Sequence, residues 1–198
     1  MLKNDVFVVG IGGSSGGLEA IFTLFSHMPD KPGVAFIIVR HLSRDYKTNS
    51  KFLLAQYTAI PIKMIESGME IEANCIYVMP ENTKLTLKDR KLYLAERPTS
   101  ELINTAVDDF FISFAEDIKE KAIGIILSGA GTDGTKGASA IKQHGGLVIV
   151  QSPEQAQFEG MPSNVIYFDH PDYVLHLEDI PKRILLYIKT PREVKPIA

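Results

Sequence analysis

Apolar positions along the chain fall into two rhythms. Asp5 to Ile11, Val34 to Val39, Cys75 to Met79, Ala122 to Leu127 and Leu147 to Val150 are short and apolar at nearly every position, as strands buried on both faces are. Pro61 to Ile65 reads as a further short strand. Other stretches place apolar residues at helical spacing. Ser15 to His27 does so with Leu18, Ile21, Phe22, Leu24 and Phe25, and Ile103 to Lys119 with Ala106, Phe110, Ile112, Phe114 and Ile118. Helices are also expected over Tyr46 to Tyr57, from the glycine cluster after Leu127 to about His144, and over Ile180 to Ile188. Leu85-Thr-Leu and Leu92-Tyr-Leu flank Lys88 to Lys91 and predict a hairpin. Ser152 to Pro162 reads as a loop or short helix, and the tail over 191–198 as disordered.

Strands alternating with helices predict an α/β fold. Its core is a doubly wound, mostly parallel sheet with helices on both faces and an antiparallel hairpin at one edge. In such sheets a site forms beyond the carboxyl ends of the strands, near the point where strand order reverses. Three polar loops fall at strand ends: residues 12–16, 40–43 and 128–134.

Composition narrows the partners. The chain has 198 residues and a formal net charge of −3, which gives no reason to expect nucleic acid as a partner. Cys75 is the single cysteine, so no internal disulfide can form. No run approaches the roughly 18 apolar residues of a membrane span. These features predict one cytoplasmic domain over 1–190, without membrane insertion. No His or Cys pair has ligand spacing, so no metal is expected.

The three loops carry a serine, a histidine and an aspartate. Gly12-Gly13-Ser14-Ser15-Gly16 fits G-x-S-x-G, a nucleophile on a tight strand-to-helix turn. A hydroxyl needs a base, and the base needs an orienting group. Ser14 would attack, His41 would take its proton and Asp133 would hold the imidazole. Each residue also has a plainer role. Ser14 and Ser15 suit a phosphate-binding turn, His41 a structural position, and Asp133 a helix N-cap. The other four histidines, at helix ends or in late loops, read as surface residues. The opening Gly10-Ile-Gly12 resembles a dinucleotide motif, but Gly16 comes one residue late. Arg40 stands where an acidic residue is expected, which leaves NADP as a weaker reading.

Four motifs, in order, resemble the CheB protein-glutamate methylesterases of bacterial chemotaxis. Ile11-Gly-Gly-Ser-Ser-Gly-Gly is similar to that family's nucleophile loop. Arg40-His41-Leu42 resembles its histidine loop, Leu127-Ser-Gly-Ala-Gly-Thr-Asp133-Gly its aspartate loop, and Phe158-Glu-Gly-Met-Pro162 its late signature. The resemblance spans about residues 5 to 190 and implies the triad Ser14, His41 and Asp133. It implies hydrolysis of glutamyl methyl esters on receptors, deamidation of particular glutamines, and no cofactor. Ser15 and Gly16 are the expected oxyanion residues, with Ala130 and Met161 on the substrate side; Met161 suits a core filler equally.

The chain departs from the family in three places: Ser15 stands for a common threonine, Ala130 for a methionine, and Leu18 for a proline. No receiver domain is expected ahead of the catalytic domain. The motif wording is closest to relatives fused to a CheR-type methyltransferase, so a methyltransferase domain is an expected partner. The substrate would be a methylated receptor or another signalling protein. The rival reading is a non-catalytic regulatory module that retains the fold.

Overall fold

A computed structural model describes residues 6–40, 50–98, 101 and 104–190. The histidine loop from residue 41 to residue 49 and the 191–198 tail lie outside the described residues. The first half of the chain runs β1 (Val8–Gly13), α1 (Gly17–Ser26), β2 (Ala35–Arg40), α2 (Ser50–Leu54), β3 (Ile62–Met64), β4 (Met69–Glu70), β5 (Cys75–Val78), β6 (Thr83–Lys88) and β7 (Lys91–Glu96). The second half runs α3 (Ala106–Ile118), β8 (Ala122–Ile126), α4 (Thr135–Gln143), β9 (Leu147–Gln151), α5 (Gly160–Asp169), β10 (Tyr173–Leu175) and α6 (Ile180–Lys189).

Seven strands form one sheet in the order β10-β9-β8-β1-β2-β5-β3, and every neighbouring pair is parallel. From β1 the chain moves outward through β2 on one side. It later returns to place β8 against the other side of β1. The order therefore reverses between β1 and β8, and the loops that leave these two strands flank the crevice.

Strand residues alternate between two cores, as a period of two requires. Val9, Ile11, Phe36, Ile38 and Ile125 pack with Ile21, Leu24 and Phe25 of α1 and Ile180 and Ile184 of α6. Val8, Ile37, Val39, Tyr77 and Val148 pack with Val107, Phe110, Phe111 and Phe114 of α3, Ile141 of α4 and Val165 of α5. On this second face α3 lies very close to the sheet. A Cβ at Gly12 would come 2.4 Å from the Val107 side chain, and one at Gly10 would come 3.1 Å from Phe110 and Phe111. Glycine in these strands therefore sets how near the start of α3 approaches the end of β1.

The hairpin forms as expected, but its strands do not extend the main sheet. β6 and β7 pair with the two-residue β4 in a separate antiparallel sheet of order β4-β7-β6. Bonds to α3 hold it there. Leu87 N–H donates to Ser113 Oγ at 3.1 Å, and Asp89 and Arg90 N–H donate to the Asp117 carboxylate at 2.6 and 2.9 Å. Leu85, Leu87 and Leu92 point inward against the same helix. The 152–162 segment divides into a short 3-10 turn, Pro153–Gln155, and the start of α5, which continues to Asp169.

Candidate active site

Ser14 follows β1 directly and is half-buried, and the exposed Ser15 comes next. The turn closes with Gly17 N–H donating to Ser14 C=O at 2.9 Å. Gly16 precedes the first residue of α1 at φ 72°, a conformation that favours glycine. The space over Gly16 is also filled, since a Cβ there would lie 2.6 Å from Ser128 Oγ and 2.8 Å from Gln157. Among the described residues, neither Ser15 N–H nor Gly16 N–H has a backbone or side-chain acceptor.

The loop after β8 lies against this turn. Ser14 N–H donates to Ser128 C=O at 3.0 Å. Ser128 is buried; its hydroxyl donates to Ser15 C=O at 2.8 Å and accepts from Phe158 N–H at 3.0 Å. Its own N–H donates to Gln151 Oε1 at 2.8 Å. Gly129 N–H donates to Phe158 C=O at 2.9 Å, and Met161 N–H donates to Gly129 C=O at 2.8 Å. The late Phe158–Pro162 segment thus backs the nucleophile turn.

Met161 itself is 0% exposed, under Gly129. A Cβ at Gly129 would come 2.2 Å from Met161 Sδ and 3.0 Å from Ser14 Cβ. Of the two readings the sequence left open, this position suits the core filler: Met161 supports the turn from within. Ala130 is exposed and lines a cleft with Asn104, Thr105, Asp133, Lys136 and Phe168.

Asp133, at 7% exposure, closes the same loop. Its carboxylate accepts Val107 N–H through Oδ2 and Asp108 N–H through Oδ1, each at 2.9 Å. Asp133 therefore binds the N-terminus of α3, although it precedes α4 in the chain. Gly134 takes the position before α4 at φ 96°. Of the two roles posed from the sequence, the carboxylate carries a capping one, for α3.

His41 lies outside the described residues. The register between β1 and β2 pairs Gly13 with Arg40, so Ser14 follows β1 beside the end of β2. The other four histidines are exposed, and His27, His144 and His170 stand at helix C-termini, the opposite end of the sheet. Burial lowers the Arg40 pKa against the raising effect of Glu19 and Glu81. These acids, with the filled space over Gly16, make a poor seat for NADP phosphates. Among the described residues, no group of three or more His, Cys, Asp or Glu could hold a metal.

Sequence reasoning passed over Ser128, Gln151 and Asp108. Ser128 had been read only as part of a glycine cluster. Asp108 carried a signal, an acid inside the first turn of a helix between the apolar Val107 and Phe110.

A doubly wound α/β domain with a glycine-turn serine and a buried aspartate on facing loops has the layout of a serine hydrolase. The sequence pattern of the CheB methylesterase family matches residues 9–184, and the chain belongs to that family. A Leptospira interrogans protein named for protein-glutamate methylesterase/protein-glutamine glutaminase is 34% identical over 180 residues, 90% of this chain and 92% of that protein. The Thermotoga maritima protein of the same functional name is 30% identical over 90% of this chain, which spans 53% of its length. The crystal structure of the Thermotoga maritima CheB methylesterase catalytic domain superposes with a TM-score of 0.84 at 29% identity. The match covers 92% of this chain and 99% of that one.

Proposed function

We propose that residues 1–190 form a serine carboxyl-methylesterase domain that hydrolyses methyl esters of glutamate side chains on a cytoplasmic signalling protein such as a chemoreceptor. Ser14 is the nucleophile, His41 the base and Asp133 the orienting acid. The observation that carries this reading is the β1–β2 register of Gly13 with Arg40, together with the Ser128 carbonyl under Ser14. The loops after β1 and β8 meet at one strand-end crevice, beside the end of β2.

In the first half-reaction Ser14 Oγ attacks the ester carbonyl and passes its proton to His41. The oxyanion is received by the Ser15 and Gly16 N–H groups, which have no acceptor among the described residues. The C–OCH3 bond then breaks, and His41 protonates the departing methoxide to give methanol. In the second half, water gives a proton to His41 and attacks the acyl-enzyme. The Ser14 ester bond breaks, Ser14 regains its proton, and glutamate leaves. The same steps on glutamine release ammonia, as the relatives' names suggest. No step needs a cofactor. The substrate is the product of a carboxyl methyltransferase, the partner activity this reading requires.

The test is methanol release from receptor-bearing membranes with methylated glutamates. Release by the parent and none by Ser14→Ala is the expected result. Equal release by both removes Ser14 from the mechanism. A parent that neither releases methanol nor is labelled at Ser14 by a fluorophosphonate favours the non-catalytic module.

A further inference from the structure

The loop that carries Asp133 is held by a second carboxylate. Asp108 sits in the first turn of α3 at 8% exposure. Its Oδ1 accepts Gly134 N–H at 2.9 Å and Gly137 N–H at 2.8 Å. Asp133 in turn accepts the N–H groups of Val107 and Asp108. The two helix N-termini therefore exchange acids: the acid before α4 binds α3, and the acid in α3 binds α4. Close packing fixes the arrangement, since a Cβ on Gly137 would come 2.3 Å from Phe111 Cβ.

The exchange is costly in charge. Burial and the neighbouring Asp133 both raise the Asp108 pKa, against the lowering effect of the two N–H donors and Lys136. An isolated helix cap would not need a second acid in the same dry space, because one serine or asparagine can cap a helix at the surface. Asp108 does what a cap elsewhere could not. It grips the residue that follows Asp133, whose own carboxylate is bonded to the N-terminus of α3.

We propose that Asp108 is a positioning residue for the proposed triad, acting through Gly134 and Gly137 N–H to hold the Asp133 carboxylate toward the Ser14 crevice. This rests on the triad reading above. Asp108 touches no reacting atom, and its effect travels through two backbone hydrogen bonds.

The test uses the rate of Ser14 labelling by a fluorophosphonate probe, which reports serine activation whatever the natural substrate. The parent, Asp108→Ala and Asp108→Asn are compared below each variant's melting temperature. Asp108→Ala should label about 10- to 100-fold more slowly, the scale expected when a support shifts a reacting group by about an ångström. Asp108→Asn keeps one carbonyl oxygen for both N–H donors and should recover the rate to within about fivefold of the parent. With a methylated substrate, the loss in Asp108→Ala should fall on kcat and leave KM within about twofold.

Folded Asp108→Ala that labels at the parent's rate overturns the proposal and leaves the triad standing. Asp108→Asn as slow as Asp108→Ala also overturns it, because the oxygen would then be irrelevant. A parent that is not labelled at all removes the triad, and this proposal with it. If Asp108→Ala does not fold, Asp108→Glu replaces it. That variant keeps the charge and displaces the oxygens by one methylene, and parent-rate labelling there overturns the proposal.

Discussion

Asp133→Asn separates the two duties of Asp133 and allows a magnitude to be worked out. In the parent each carboxylate oxygen accepts one backbone N–H at 2.9 Å, at the N-terminus of the 13-residue α3. Asparagine retains one oxygen and turns its NH2 toward the other N–H, so a buried donor loses its acceptor. Losing a bond to a charged acceptor costs about 1.5–3 kcal/mol. Removing a negative charge from a partly buried helix N-terminus costs about 0.3–2 kcal/mol more. Relief of the repulsion between Asp133 and Asp108 offsets part of this, leaving a net loss of about 1–4 kcal/mol. In a chain of this size 1 kcal/mol moves the melting temperature by about 2–4 °C, so the variant should melt about 2–16 °C below the parent. Urea denaturation should show a lower midpoint at an unchanged slope. Activity, measured well below the variant's transition, should fall by orders of magnitude because the histidine would be held in the wrong tautomer. The sequence alone predicts the lost activity with the fold retained; the structure adds the lost stability. A variant that melts within about 1 °C of the parent would refute the capping role, and one that keeps near-parent kcat would refute the orienting role.

Two further outcomes follow from the same corner of the molecule. Gly137→Ala gains about 0.5–1 kcal/mol of helix propensity, yet its Cβ would meet Phe111 Cβ at 2.3 Å, and overpacking costs about 1–3 kcal/mol. Calorimetry should therefore find the variant less stable, and a melting temperature at or above the parent's would show that α3 and α4 are not so closely apposed. Asp108 faces Asp133 and Lys136, and its pKa lies above the ordinary 3.8. A raised carboxyl pKa favours the protonated form in the fold, so its contribution is present below about pH 3.8 and lost as pH rises through the raised value. Denaturation from pH 3 to 8 should show Asp108→Asn gaining on the parent as pH rises, and a pH-independent difference would contradict this.

The sequence carries the strands, the order of the loops and the serine turn because these depend on local pattern. Val8–Gly13 is apolar throughout and ends in glycines, which reads the same in the chain and in the fold. Elements that depend on distant partners are hidden. α5 begins Gly160-Met-Pro-Ser-Asn, a poor set of helix formers, and leaves Tyr167 and Phe168 exposed, so no apolar stripe marks it. β4 has two residues and β10 three, too few for a period to show. The hairpin was legible from its alternation, but its docking on α3 depends on Ser113 and Asp117, more than twenty residues away. Asp133 looked like a cap for the helix after it because sequence shows only neighbours. Its true partners, Val107 and Asp108, precede it by 26 and 25 positions.

These long-range bonds make Ser14 and Asp133, the proposed nucleophile and acid, parts of one frame. Ser14 is tied to Ser128 through its N–H, and Ser128 is tied through its hydroxyl to Ser15 and to Phe158. Met161 fills the space under Gly129, and the same loop ends at Asp133, locked by exchange with Asp108. The frame stands beside the end of β2, where Arg40 pairs with Gly13. Glycine at positions 10 and 12 lets α3 come close enough for Val107 and Asp108 N–H to reach the acid. The same residue type that gives Ser14 its turn thus also gives Asp133 its place, one strand face away.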